Sequence, residues 1–141
     1  MQRTLTRVLL LLLGVFEGVP GLWPLITPTG FYQDFPGFRQ GWVSMDGPFN
    51  EHLIRDFGGL NLALAATLIG AAVIGTTAVA RLASVATLLF ALPHFVYHLG
   101  HLSHFGQLDQ ILIIATLAAS LVLPAVALLL PGRRVSSPAT P

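Results

Sequence analysis

Leu82-Ala83-Ser84-Val85-Ala86-Thr87-Leu88-Leu89-Phe90-Ala91-Leu92-Pro93-His94-Phe95-Val96-Tyr97-His98-Leu99-Gly100-His101-Leu102-Ser103-His104 runs its whole length without an acid, a lysine or an arginine. At ~1.5 Å per residue a helix of this length crosses a hydrocarbon core about 30 Å thick. The stretch therefore reads as a membrane span, and the fold follows from finding how many others like it the chain contains. Its second half also carries four of the chain's five histidines. On a helix turning about 100° per residue, His94, His98 and His101 fall at i, i+4 and i+7, within an arc of roughly 60°. His104 lies about 80° from His94 and flanks that face. A stripe of imidazoles can hold a metal ion, hold a haem or pass protons. Pro93 is expected to kink the helix just before it.

Composition agrees with the membrane reading. Hydrophobic residues make up 54% of the 141, charged residues 9%, and mean hydropathy is +0.76. A water-soluble domain carries about a quarter of its residues charged. With a formal charge of +1, the chain has no electrostatic footprint for a nucleic-acid partner. The absence of cysteine excludes disulfides, thiolate metal sites and iron–sulfur clusters. Any metal here must take nitrogen and oxygen ligands.

Three further apolar runs complete an all-α, four-transmembrane-helix bundle, with spans expected at about 5–26, 50–80, 82–104 and 107–130. The first follows Arg3 and Arg7. No small-x-small site closes it, and Glu17 and Pro20 stand where one should be, so it reads as a span and not as a cleaved signal. The second opens at Asp46-Gly47-Pro48 or Asn50, with Glu51 in its first turn. Gly58, Gly59, Ala63, Ala65 and Ala66 suit it to close helix packing, within the chain, in a homo-oligomer or against a larger membrane complex. Arg81 marks a very short turn to the third span. Pro131 to Arg134 stop the fourth, making residues 1–134 one domain, with 135–141 a disordered cytoplasmic tail. Between the first two spans, residues 21–49 form a long outer loop rich in glycine, proline and aromatics. It is either an interfacial anchor through Trp23 and Trp42 or a lid over a site.

Four spans place both ends of the chain on one side. Arg3, Arg7, Arg81, Arg133 and Arg134 lie there, so the excess of positive charge makes that side the cytoplasmic face of a cell membrane. All six acids and all five histidines then fall in the outward half. Counting helix rise, Glu17 and His94 come out nearly level, roughly 15 and 18 Å above the inner boundary, with His98, His101 and Asn61 at roughly 24 to 29 Å. Asp56, His104 and Asp109 fall near 33 to 35 Å by the same count, and His52 falls higher. A deep tier of Glu17 with His94 and His98 is expected below an upper tier of His101, His104, Asp56, Asp109 and His52.

The candidate metal ligands are thus His94, His98, His101, His52, Asp56, His104 and Asp109. Glu17 and Asp56 are the candidate catalytic carboxylates, Glu17 as deep ligand or proton acceptor. His52 and Asp56, at i and i+4, can offer a nitrogen and an oxygen to one ion or can form a plain surface pair beside Glu51–Arg55. Imidazole and carboxylate donors suit copper, zinc or iron. A haem between two histidines on different helices is an alternative cofactor.

The run from Gly47 to Ala65, GPxNEHLxRDxGxLNLALA, together with Pro93-His94-x-x-x-His98-x-x-His101, resembles a group of small, uncharacterised four-span membrane proteins, mostly actinobacterial. The similarity covers most of the chain between the first and fourth spans and implies the same architecture. A looser similarity to DoxX-like membrane proteins, in size and span count alone, carries no residues across. The function expected from the ligand types is a metal-dependent, redox membrane enzyme acting on a lipophilic small molecule, with membrane lipid as its other partner. The alternatives are a bis-histidine haem electron carrier and a non-catalytic accessory subunit of a membrane complex.

Overall fold

In each apolar run the residues that can be buried recur every three or four positions, which on a helix makes one inward stripe. The computed structural model, which describes residues 2–39 and 41–130, folds these runs into helices α1 (Gln2–Ile26), α3 (Glu51–Ile74), α4 (Thr77–His101) and α5 (Gln107–Leu129). A seven-residue helix α2 (Pro28–Asp34) sits between the first two, and a single 3₁₀ turn (Leu102–His104) extends α4. No strand occurs among the described residues. Four helices are long and apolar enough to cross a membrane, Arg3–Ile26, Glu51–Ile74, Thr77–His104 and Gln107–Leu129, which fits a multi-pass membrane protein.

The spans alternate in direction. At one end, here the closed end, small side chains let all four meet: Leu10 and Leu13 of α1, Leu68, Ala71 and Ala72 of α3, Ala80 and Ala83 of α4 and Ala127 of α5 form one buried cluster. At the other end, Trp42, Phe105 and Ile113 form a second cluster beneath the α1–α3 connection. Buried hydroxyls bond back into their own helices, Ser84 Oγ to the Ala80 carbonyl at 2.9 Å and Thr87 Oγ1 to that of Ala83 at 3.0 Å, as hydroxyls must in an apolar interior.

Several boundaries differ from expectation. Residues 21–26 continue α1 through Pro20 and Pro24, so the outer loop starts later and contains α2. Prolines inside a span are tolerated where neighbouring helices enclose the freed backbone, and Pro24 is fully buried. The α3–α4 turn falls at Gly75–Thr76, six residues before Arg81 in numbering, so the expected 50–80 and 82–104 spans are shifted. Gly75 takes the left-handed conformation, φ 72°, and its N–H closes α3 on the Ala71 carbonyl at 2.9 Å, a glycine signal that the uniformly apolar composition hides. Arg81 stands exposed on α4. Asn50 is the residue that caps α3, its side chain accepting from the Leu53 N–H at 3.1 Å. The expected stop at 131–134 and tail at 135–141 lie outside the described residues.

α1 and α3 pack backbone to backbone. A Cβ on Gly21 would lie 2.6 Å from the Leu62 nitrogen, and one on Gly58 would lie 2.8 Å from Pro24 Cγ and 3.0 Å from the Gly21 carbonyl oxygen. By contrast, a Cβ on Gly59 meets nothing within 4 Å. Gly21→Ala should therefore lower stability by about 1–3 kcal/mol, the usual cost of overpacking. Gly59→Ala should be neutral or stabilising, and reversible unfolding in mixed micelles checks both.

Candidate functional site

Away from the closed end the inward stripes carry larger and more polar residues, and the helices enclose a cavity of about 830 Å³. Glu17 enters its wall because it continues the α1 stripe of Thr6, Leu10, Leu13, Gly21 and Pro24. It is 3% exposed. On the opposite helix the stripe Ala80, Ala83, Thr87, Ala91 continues into His94 and His98, and both line the cavity. Asn61 of α3 also reaches it, with its amide N–H tied to the Phe57 carbonyl at 2.8 Å.

Aromatic rings make most of the remaining wall. Phe31, Phe57, Phe90 and His94 form a continuous series, with Phe57–Phe90 centroids 6.1 Å apart and the His94 ring stacked on Phe90 at 5.2 Å. His98 meets His94 edge to face at 4.7 Å. α4 stays helical through Pro93, so the histidine face keeps its helical register.

The roof is the segment after α2, strapped to the first turn of α5. Arg39 donates Nε–H and Nη2–H to the two Asp109 oxygens, each at 2.8 Å, and Trp42 donates Nε1–H to Asp109 Oδ1 at 2.9 Å. Bidentate, charge-assisted pairing of this kind is directional. The hydrogen bonds first, and then the carboxylate charge, hold the Arg39 guanidinium above its ordinary pKa. Tyr32 O–H donates to the Gly47 carbonyl at 2.8 Å and fixes the other end of the roof.

The residues of the expected deep tier, Glu17, His94 and His98, share the cavity wall. The upper tier is split: His101 and His104 stay together, their rings edge to face at 6.0 Å, apart from the others. His52 Nε2 and Asp56 Oδ2 are 3.3 Å apart with side chains 88% and 63% exposed, because the inward α3 positions Ile54 and Gly58 turn this pair to the far side of the helix. Asp109 is committed to Arg39 and Trp42. His101 turns back on its own helix, Nδ1 lying 2.7 Å from the Tyr97 carbonyl and the ring stacked on Tyr97 at 4.1 Å. His104, on the 3₁₀ turn, is about half exposed. Among the described residues, no group of three or more histidines and carboxylates stands ready to hold a metal ion.

Asp46 is the residue that sequence reasoning passed over. It lines the cavity from the roof, with Oδ2 3.9 Å from His98 Nδ1 and Oδ1 3.9 Å from His104 Nδ1. These separations are too long for hydrogen bonds. Asp46 Oδ1 and His98 Nδ1 are buried without a partner among the described residues. No periodicity marks a loop acid, so its only sequence signal was its place among six acids in the outward half.

No protein-family model, curated protein or solved structure matches the chain. Its function must be argued from the cavity itself. If the strap depends on Asp109, Asp109→Asn should raise hydrogen exchange at the Trp42 and Met45 amides about tenfold or more. Amides in the middle of α3 should not change.

Proposed function

We propose that the protein binds a lipophilic small molecule with a polar group in its chamber and acts on it there. The observation carrying this reading is the chamber: about 830 Å³, walled by aromatic and aliphatic side chains, with a few polar groups converging from α1, α4 and the roof. That combination of an apolar enclosure with sparse polar groups is how small-molecule sites are built. The arginines Arg3, Arg7 and Arg81 at the closed end, with Arg133 and Arg134 next in sequence beyond α5, favour placing that end and both termini in the cytoplasm. The chamber then opens toward the outer leaflet of the cell membrane, where a lipophilic molecule can reach it.

A metal-dependent redox enzyme is the more specific form of this reading, and the unpartnered Asp46 Oδ1 and His98 Nδ1 favour it. A nitrogen and an oxygen donor on one zinc, copper or iron ion lie roughly 3.4 Å apart, so His98 Nδ1 and Asp46 Oδ2, at 3.9 Å, must close by about half an ångström. His94 and His104 are the nearest further nitrogen donors, and Glu17 across the chamber is the proton acceptor. A bis-histidine haem has less support, since both histidines lining the chamber, His94 and His98, lie on α4.

Trp42 lines the chamber and Trp23 does not, so a Trp23→Phe protein reports on the chamber by fluorescence. A brominated alkylphenol should quench it saturably, and filling the chamber with Thr116→Phe should weaken binding about tenfold, a loss of about 1.4 kcal/mol. Quenching that is linear and identical in both proteins would reduce the chamber to a packing defect and favour the accessory-subunit reading. Separately, detergent-purified wild type should hold about one equivalent of metal that His98→Ala loses. Equal, trace metal in both would remove the metal form and leave the lipophilic ligand standing.

A further inference from the structure

The charges around the chamber are one-sided. Two acids line it, Glu17 from α1 and Asp46 from the roof, and no arginine does among the described residues. The two arginines at this end are committed elsewhere: Arg39 is held by both oxygens of Asp109, and Arg55 by Glu51 at 2.9 Å and the Leu25 carbonyl at 2.7 Å. Glu17 makes no ion pair or hydrogen bond among the described residues, although it sits in the middle of a span at 3% exposure. A carboxylate in such a place is stable only when protonated, hydrated or paired, and a cationic ligand supplies the pairing. Phe31, Phe35, Phe57, Phe90 and Trp42 line the same chamber, and aromatic π-faces attract organic cations.

We propose that the chamber selects lipophilic organic cations, with Glu17 and Asp46 as counter-charges and the Phe31–Phe57–Phe90 series as the cation–π wall. This inference rests on the small-molecule reading above and names its ligand class. A bulky aromatic onium ion suits the enclosure on three counts: its hydrocarbon surface fits the aromatic lining, its diffuse charge is cheaply desolvated, and it carries the sign that the wall lacks. A compact, strongly hydrated amine loses more on leaving water and gains less from the rings. The histidines lie along one side, His94 stacked on Phe90 and His98 facing Asp46, so the ring of His94 extends the aromatic surface.

The test uses the full chain in lipid nanodiscs and two probes of one shape and opposite charge, tetraphenylphosphonium and tetraphenylborate, with the neutral brominated alkylphenol as reference. Tetraphenylphosphonium should bind saturably and at least tenfold more tightly than tetraphenylborate. In Glu17→Gln, the ratio of phosphonium to alkylphenol affinity should fall at least tenfold, and in Asp46→Asn or Phe57→Leu at least threefold. A purely structural role for these residues would weaken both probes together and leave the ratio unmoved. Equal binding of the two ions by wild type, or an unchanged ratio in all three variants, overturns the inference. If alkylphenol binds and the phosphonium does not, cation selection fails while the small-molecule reading survives. If neither binds, both fail.

Discussion

Everything at the polar end depends on a mismatch in side-chain size between the two ends of the bundle. At the closed end Ala71, Ala72, Ala80, Ala83 and Ala127 let four backbones converge around Leu10, Leu13 and Leu68. In a membrane there is no hydrophobic drive to bring helices together, so close contact between small residues supplies the attraction. Toward the other end the same stripes change to Glu17, Phe57, Asn61, Phe90, His94 and His98. Rings and long polar side chains on facing stripes cannot interdigitate at alanine spacing. There the close α1–α3 pair stays apart from α4 and α5, and the chamber follows from the sequence of the stripes.

Within this frame α1 and α3 behave as one unit. Gly21 and Gly58 bring their backbones into contact, and Arg55 of α3 donates to the Leu25 carbonyl at the end of α1. That last contact places a cation at a helix C-terminus, where the backbone carbonyls favour it. Because α1 is fixed against α3 both below and above Glu17, the carboxylate has no freedom to turn toward lipid. Its burial is therefore imposed by packing, and the proton or cation that balances it must reach it inside the chamber.

The architecture was legible because composition and length leave few choices: apolar runs of this length with so few charges read as spans, and their number sets the bundle. The inward position of His94 and His98 was legible for a related reason, since i and i+4 spacing survives Pro93 when α4 remains helical. What could not be read was how the other polar groups are used. His52–Asp56 and Asp109 were grouped by height alone, and height says nothing about azimuth or competition. Ile54 and Gly58 decide which way His52 points, and Arg39, distant in sequence, claims Asp109. Asp46 illustrates the converse: a loop acid has no periodicity, and only the fold of the roof brings it beside His98.

The strap has an electrostatic consequence beyond its mechanical one. An unpaired Arg39 in the roof would place a positive charge near Glu17 and Asp46 and offset part of the field they produce. Pairing it bidentately with Asp109 makes the strap close to neutral, and Trp42 adds a third donor to the same carboxylate without adding charge. The Glu51–Arg55 pair does the same at the head of α3. With both local arginines balanced by acids outside the chamber, Glu17 and Asp46 are the acids that, when ionised, set the potential inside. In a low-dielectric enclosure that potential is screened far less than it would be at the surface. The pairings that hold the roof in place thus also keep arginine charge from offsetting the two chamber acids.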